Sequence, residues 1–394
     1  MEHSMLFIAD DIIYSILIML HVKSLIRFQC VSKSWKNIIG DKIFRKVHHD
    51  RSKSLSSSKK SFLFATIDGV YEFRPFENSQ VILVRQKFPL KRFQHVPTLG
   101  SCDGIVLLKS HLGYKSFALW NPYSNEYGIY ECPYVKTYSC TTPHACGFCY
   151  DPYADDYKVI LIYRSFYAVY SLIRNSWEKK SSVHVKELNV RSWDCSPGIN
   201  TENRVFWSIE WKIHQLVGRN SKIIYFDVRS DELKELLKPD FIRENNQLYR
   251  LTSLKGCIGL YGGIISSKTF DVWIMEQHEW KLSLTITCIH YILCGPFVKN
   301  SVILVDATNH DEILFHIRTA ESQYCAIYDL ERHRFVNQID MFNHLRCYMV
   351  PIFSESLYFP KIDMKRKRRE KRFSCAEREQ KETQMSKCRC RLKW

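Results

Sequence analysis

The chain has 394 residues, of which 45% are hydrophobic and 25% charged, proportions that exclude a disordered protein and are typical of a soluble globular one. Its net charge of +16 is uneven, because residues 361–394 contain 14 Lys/Arg against 5 Asp/Glu, and the nearly balanced remainder does not favour nucleic-acid binding. An odd number of cysteines, 15, with no visible secretory signal or membrane-spanning apolar run, favours free thiols in the cytoplasm, the nucleus or both.

The first forty residues predict three short helices. Asp10 and Asp11 are suitable N-caps, and Gly40 is a suitable C-cap. Between them, apolar residues recur at helical spacing in three stretches: Ile12, Ile13, Ile16, Leu17 and Leu20; Val22, Leu25 and Phe28; Val31, Trp35, Ile38 and Ile39. Three helices of this length cannot bury so many large side chains among themselves. We therefore expect the remaining apolar surface to meet a partner or the chain's own second domain.

A family resemblance lies within residues 8–39. The runs Val22-Lys23-Ser24-Leu25, Arg27-Phe28 and Cys30-Val31-Ser32-Lys33-Ser34-Trp35 resemble the plant F-box. The resemblance implies docking onto a Skp-family adaptor, which connects the protein to a cullin. The chain departs from the family where Ile8-Ala9 replaces Leu-Pro and where His21 replaces a proline. The alternative is a helical cap that packs on the chain's own body.

The residues expected to pack internally and onto the adaptor share an apolar side chain in one of the three helical stretches. They are Ile12, Ile16, Leu17, Leu20, Val22, Leu25, Phe28, Val31, Trp35 and Ile38. The sequence does not separate internal from adaptor-facing side chains, and it indicates no substrate-binding residue.

The next segment, residues 50–60, is rich in Ser and Lys and cannot contribute to a core, so we take it as a linker. Residues 61–360 alternate aromatic and β-branched runs with turn signals, which predicts many short strands in a sandwich, barrel or propeller. The predicted organisation is an F-box at 1–49, a linker at 50–60, a β domain at 61–360 and a basic, disordered tail at 361–394.

A weak internal repeat favours the propeller. An aromatic residue followed by a polar one recurs at intervals of roughly 50 residues, the period of kelch-type blades. The positions are Tyr71-Glu72, Trp120-Asn121, Tyr170-Ser171, Phe226-Asp227, Trp273-Ile274 (whose second residue is apolar) and Tyr328-Asp329. The prediction is an α+β multidomain protein, with a three-helix F-box before an all-β, propeller-like domain of about six blades. The last apolar run, residues 348–358, is expected to complete the first blade.

This β region is also similar to the F-box-associated, kelch-like domain of plant F-box/kelch-repeat and S-locus F-box proteins. The similarity includes Cys102-Asp103-Gly104-Ile105, Trp120-Asn121-Pro122, Tyr150-Asp151-Pro152 and Tyr225-Phe226-Asp227. It implies a substrate-recognition subunit of an SCF (Skp–cullin–F-box) ubiquitin ligase, which binds a target protein through the β domain and leads to its ubiquitination and degradation. Such a subunit is not an enzyme and needs no cofactor.

Two sequence patterns suggest further chemistry, and each also has a simpler interpretation. Cys140, His144, Cys146 and Cys149 suggest zinc, but Cys146 and Cys149 would face opposite sides of a strand, which favours buried thiols and no metal site. Residues 365–372 resemble a nuclear-import signal or a nucleic-acid-binding patch. The simpler interpretation is a run of charged residues exposed to solvent. Two other functions stay open: a protein-binding module whose degenerate F-box does not act in a ligase, and a basic nuclear nucleic-acid-binding protein.

Overall fold

A computed structural model describes residues 9–54, 60–65, 69–75, 84–94, 96, 98–111, 113–135, 143–182, 184, 196–212, 219–239, 247–254, 256–264, 269–287, 301–307, 312–318, 323–340 and 348–360. The chain divides into two compact units, residues 1–358 and 359–394. Of the second unit only residues 359 and 360 are described, so the predicted basic tail lies outside the described residues.

The described N-terminal part contains four helices rather than the three that we predicted: α1 (Asp10–Leu17), α2 (Val22–Phe28), α3 (Lys33–Gly40) and α4 (Lys42–Ser54). The fourth helix begins directly after α3 because the Asp41 carboxylate accepts the backbone N–H groups of Ile43 and Phe44, at 2.8 and 2.9 Å. This is a side-chain N-cap, which satisfies donors left free at a helix start. The helix continues to Ser54, across the boundary predicted between residues 49 and 50.

The described residues after the helices form six sheets, numbered here in chain order. Their strands are β1 (Lys60–Ala65), β2 (Val70–Pro75) and β3 (Val84–Lys87) in the first; β4 (Thr98–Cys102), β5 (Ile105–Ser110), β6 (Gly113–Asn121) and β7 (Glu126–Glu131) in the second; β8 (Ala145–Asp151), β9 (Asp156–Ile162), β10 (Tyr167–Ser171), β11 (Ser176–Lys180) and the short β12 (Ser196–Pro197) in the third; β13 (Ile199–Thr201), β14 (Arg204–Lys212), β15 (Arg219–Asp227) and β16 (Glu232–Leu236) in the fourth; β17 (Gln247–Leu254), β18 (Cys257–Ile264), β19 (Thr269–Glu276) and β20 (Glu279–Thr287) in the fifth; and β21 (Ser301–Ala307), β22 (Glu312–Arg318), β23 (Gln323–Asp329) and β24 (Arg334–Asp340) in the sixth.

Each sheet contains a meander of consecutive antiparallel strands, and in the third sheet the short β12 pairs in parallel with β8. Neighbouring sheets meet through their first strands. The contacts run in series between β4 and β8, β8 and β13, β13 and β17, and β17 and β21. Side chains join the sheets as well: Trp207 Nε1 donates to the Cys146 carbonyl at 2.8 Å, and Thr252 Oγ1 donates to the Leu304 carbonyl at 3.2 Å. This is the propeller-like arrangement that the sequence predicts.

The last strand, β25 (Tyr348–Ser354), completes the first sheet. It pairs antiparallel with β1, with Leu63 opposite Val350 and Ala65 opposite Tyr348. The expectation that residues 348–358 complete the first blade is therefore confirmed. The start and the end of the β region are hydrogen-bonded in one sheet.

The aromatic–polar repeat has a common structural position. All six pairs lie on the third strand of successive sheets, namely β2, β6, β10, β15, β19 and β23. In four of them the polar residue begins a four-residue hairpin loop, and its side chain accepts backbone N–H groups of that loop: Asn121, Ser171, Asp227 and Asp329. The repeat therefore marks local turn chemistry, in which short polar side chains hydrogen-bond to nearby backbone.

The fifth sheet departs from this pattern because β19 continues three residues past the aromatic Trp273 and turns at Gln277 and His278. Both turn residues have positive φ, 49° and 68°, which is the conformation of a two-residue hairpin turn. A polar residue after Trp273 would therefore have no turn to cap.

Candidate functional site

The four helices pack around a small apolar core. Leu17, Val22, Leu25, Ile39 and Phe44 are buried in it. Aromatic contacts support the packing: Tyr14 meets Phe44 edge-on at 5.2 Å between ring centroids, and Phe28 meets Trp35 at 5.3 Å. These apolar residues belong to the same core as residues of the first two sheets, including Tyr71, Phe73 and Trp120. The helical cap on the chain's own body and the protein-binding helices are thus compatible descriptions of one unit.

The ten residues predicted from the helical spacing divide into three groups in the structure. Leu17, Val22 and Leu25 are buried, so their packing is internal. Leu20, Phe28, Trp35 and Ile38 are half-buried against the same core. Ile12, Ile16 and Val31 are exposed, with 54%, 45% and 59% of their surface accessible. The assignment of all ten to adaptor binding stays a prediction, and the exposed three remain available for a partner.

Sequence reasoning missed three other exposed apolar side chains of the helical unit. Met19 lies in the turn after α1, two residues past the end of that helix, and Ile43 and Val47 lie four residues apart on α4. Residues three or four apart occupy one face of a helix, so Ile12 and Ile16 form an apolar stripe on α1 that faces away from the core, with Met19 exposed in the turn that follows. A contiguous exposed apolar surface typically marks a protein interaction site.

The helix α4 connects this helical unit to the sheets through ion pairs. Arg45 Nη1 lies 2.8 Å from Glu126 Oε2 in the second sheet, and Lys46 Nζ lies 2.7 Å from Asp155 Oδ2 in the third. The hydrogen bond to Asp155 raises the pKa of Lys46, and the hydrogen bond from Lys46 lowers the pKa of Asp155. Both groups are therefore charged throughout the neutral range.

A second cluster lies around Asp103, in the turn between β4 and β5. Lys53 Nζ is 3.0 Å from its carboxylate, His49 Nε2 is 3.7 Å away, and the Tyr157 hydroxyl donates to it at 3.2 Å. Burial alone would raise the pKa of Asp103, but the neighbouring His49 ring and the Lys53 ammonium outweigh it and lower the pKa. The half-buried carboxylate thus stays ionised and holds α4 in place.

The segment after β25 contacts the same helix. The His49 ring stacks on Tyr358 at 5.4 Å, and its Nδ1 lies 3.2 Å from Ser356 Oγ. Asn121 fixes this segment, because its side-chain amide donates to the carbonyls of Ser356 and Tyr358 at 2.9 and 2.8 Å. A cavity of about 380 Å³ lies between α4 and the sheets, lined by residues that include Lys46, Asp155 and Tyr358.

Lys158 is a buried charged residue within the sheets. The Lys158 side chain is 3% exposed, and its ammonium contacts Asp151 at 2.6 Å, Asp231, and the Val228 carbonyl at 3.3 Å. Burial lowers the pKa of Lys158, but the hydrogen bonds to the two carboxylates outweigh that effect and raise it. The group joins the third sheet to the fourth, which is a structural role.

Of the four residues that suggest zinc, the structure describes His144, Cys146 and Cys149. Cys146 and Cys149 are both buried on β8, where they lie three residues apart and so face opposite sides, while Cys140 lies outside the described residues. Burial lowers the pKa of His144. Within the described ranges no group of three or more His, Cys, Asp or Glu could hold a metal ion. Nor is any helix in those ranges long and apolar enough to cross a membrane.

Comparison with known proteins assigns two sequence families to the chain. The profile of the F-box domain matches residues 8–47, and that of the F-box associated beta propeller domain matches residues 55–342. An F-box/kelch-repeat protein of Arabidopsis thaliana is 26% identical over 296 residues, which is 70% of this chain and 78% of that protein. A second F-box protein of Arabidopsis is 24% identical over 307 residues, 70% of each chain.

Another Arabidopsis protein with an F-box name is 27% identical over 247 residues, and the alignment spans 59% of this chain and 61% of that protein. Among solved structures, TolB from Acinetobacter baumannii has a TM-score of 0.43 at 10% identity, over 78% of this chain and 71% of TolB. That score is too low for any conclusion about this chain.

Proposed function

This chain belongs to the family of F-box proteins with an F-box-associated β-propeller domain, and from that premise we propose that it is the target-recognition subunit of an SCF-type ubiquitin ligase. F-box domains in general bind Skp-family adaptors, and proteins that combine an F-box with a propeller are typically non-catalytic adaptors. The subunit would then act by proximity, because tethering a target raises its effective concentration near the ubiquitin-charged enzyme.

The observation that supports the proposal most directly is the apolar stripe on α1. Ile12 and Ile16 on α1 and Met19 in the following turn are each about half exposed or more, although Ile13, Tyr14 and Leu17 of α1 pack into the helical core. A free helix face of this kind costs solubility unless a partner covers it. We propose that the Skp-family adaptor covers this stripe and that a cullin joins the complex through the adaptor.

The target is proposed to bind at the strand ends farthest from α4. The helix covers the strand ends that carry the tight hairpins, where Asp103, Glu126 and Asp155 lie. The connections from the second to the third strand of each sheet lie at the opposite strand ends, because neighbouring antiparallel strands reverse direction. There, Phe166 stacks on Tyr163 at 4.6 Å in the β9–β10 connection. Loops on a rigid scaffold commonly provide recognition.

The test is a titration of the purified full-length chain with a Skp-family adaptor, beside the variant Ile12→Glu with Ile16→Glu. Ile12 and Ile16 each have about half of their surface left to bury, and burying it contributes about 1 kcal/mol per side chain to the free energy of binding. Replacing both should therefore weaken adaptor binding by about 30-fold. The matched control is Leu282→Glu, an apolar residue of β20 with 49% exposure, which should bind as the wild type does.

Lack of binding by a folded wild-type chain would refute the proposal, and the protein would then be a propeller-type binding module without a ligase. Equal binding by both variants would refute the role of the α1 stripe alone. Localisation in the cytoplasm, the nucleus or both is part of the proposal, and imaging of the tagged full-length chain tests it.

A further inference from the structure

The second and third sheets are joined at their outer strands by aromatic side chains. Trp177 Nε1 of β11 donates to the Glu131 carbonyl at the end of β7, at 2.7 Å, and the Tyr134 hydroxyl donates to the Trp177 carbonyl at 3.4 Å. The Trp177 ring also lies 6.2 Å from Phe117 of β6, measured between ring centroids. Because the two hydrogen bonds run in opposite directions between the sheets, they fix the rings of Tyr134 and Trp177 relative to both.

The exposed ammonium of Lys179, two residues further along β11, is held by aromatic rings. Its Nζ lies 4.3 Å from the centroid of the Phe166 ring and 6.0 Å from that of Tyr134. Glu178 and Lys180 pair with each other at 3.6 Å, and they face the other side of β11 because side chains alternate along a strand. The acidic neighbour of Lys179 in sequence is therefore not its partner in space.

A second ammonium of this kind lies at the other end of the same aromatic contacts. Lys109 Nζ is 4.6 Å from the centroid of Tyr114, whose ring lies 6.3 Å from that of Phe117. Lys109 and Lys179 are next to last in β5 and β11, which begin at hairpins on the α4 side, so both lie toward the strand ends farthest from α4. The rings that connect them are called here the aromatic row: Tyr114, Phe117, Trp177, Tyr134 and Phe166.

These two lysines differ from the paired lysines of the protein. Lys46 and Lys158 contact carboxylates at 2.7 and 2.6 Å, whereas Lys109 and Lys179 have ring contacts and no carboxylate partner among the residues that the structure describes. A ring face attracts an ammonium but does not neutralise its charge, and the N–H donors that point away from the ring stay available. Since the rings already fix the two ammonium groups, an anion that binds them orders less of the side chains.

We propose that the aromatic row binds an extended acidic segment of the target protein, whose carboxylates pair with Lys109 and Lys179; this inference rests on the proposed function and names the kind of target segment. Tyr134, Phe166 and Trp177 are half-buried, and they provide the aromatic surface that is enriched in protein interfaces. A nucleic acid fits less well, because bases stack on open ring faces and the Phe166 ring already lies between Tyr163 and Lys179.

The experiment selects ligands for the full-length chain from a displayed library of random dodecapeptides, at about 150 mM salt to screen weak attraction. It compares the wild type, the variant Lys109→Glu with Lys179→Glu, and the matched control Lys234→Glu with Lys281→Glu, whose two lysines pair with carboxylates elsewhere in the sheets. Both double variants change the net charge of +16 by the same amount. A preference caused by the overall charge or by the basic residues 361–394 would therefore respond equally in both.

We expect the wild type and the control to enrich peptides rich in Asp and Glu, and the Lys109→Glu with Lys179→Glu variant to lose that preference. The tightest acidic peptide, titrated by fluorescence anisotropy, should bind this variant at least about tenfold more weakly than the control, because like charges would then face each other. Lys179→Glu alone, at an exposed position, should give an intermediate loss with a melting temperature within about 2 °C of the wild type.

An equal preference for acidic peptides in all three forms would overturn the proposal, and so would a wild type that enriches no acidic peptide. Binding of polyadenylate RNA that depends on Lys109 and Lys179, without peptide enrichment, would overturn it in favour of a nucleic acid. The selection contains no adaptor, and the Lys109→Glu with Lys179→Glu variant should bind the adaptor as the wild type does. A failure here is therefore distinct from a failure of the ligase function.

Discussion

Replacing Lys158 by Met tests how the third and fourth sheets are held together. The apolar stem keeps its packing, but the ammonium that contacts Asp151, Asp231 and the Val228 carbonyl is lost. Breaking a buried ion pair by removing one partner costs about 3–5 kcal/mol, because an uncompensated charge remains. We expect the low end of that range, since Asp151 still accepts the backbone N–H of Tyr153 at 2.9 Å.

A loss of about 3 kcal/mol lowers the melting temperature of a domain this large by about 6 °C, which differential scanning fluorimetry resolves. The double variant Lys158→Met with Asp151→Asn separates the buried charge from the packing. It should be more stable than Lys158→Met alone, because the orphaned carboxylate has become neutral. A melting temperature within 2 °C of the wild type for Lys158→Met would refute the reasoning.

Two further predictions concern packing and pH. Gly147→Ala should lower the free energy of unfolding in urea by about 1–3 kcal/mol, because a Cβ there would lie 2.6 Å from Trp207. Gly40→Ala should not lower it, because the space around a Cβ at that position is open. Equal losses for the two variants would contradict the close packing at Gly147. Burial lowers the pKa of His48 from 6.5, so the unfolded chain binds the proton more readily, and stability that is full above pH 6.5 should fall as the pH drops below it. The variant His48→Gln should unfold with a weaker pH dependence than the wild type between pH 6.5 and 5, and an unchanged slope would contradict the assignment.

The propeller-like architecture of repeated sheets could be predicted from the sequence because the residues that indicate it are close together along the chain. In Trp120-Asn121 and Phe226-Asp227, the aromatic side chain of the third strand is buried. The side chain of the next residue accepts a backbone N–H group of the turn that follows. Both residue choices are dictated by their own neighbours along the chain. Their spacing then reports the length of one sheet.

The helix α4 could not be predicted in the same way. Its sequence is mostly polar and resembles the Ser- and Lys-rich stretch after it. What holds the helix is distant in sequence, such as Glu126, which pairs with Arg45 from 81 residues away. Helical spacing likewise placed Ile12 and Leu17 in one set of apolar residues expected to be covered. Only the packing of the four helices decides that Ile12 is exposed and Leu17 is buried.

The pairing of β25 with β1 has a consequence for synthesis on the ribosome. Residues 60–65 emerge nearly 290 residues before their hydrogen-bonded neighbour, residues 348–354. At about 5–20 residues per second, the edge of β1 therefore waits for roughly 15–60 s. An unpaired strand edge is a site for aggregation, so a nascent chain of this protein needs protection until β25 is released. A transcript truncated before that strand would leave the first sheet open permanently.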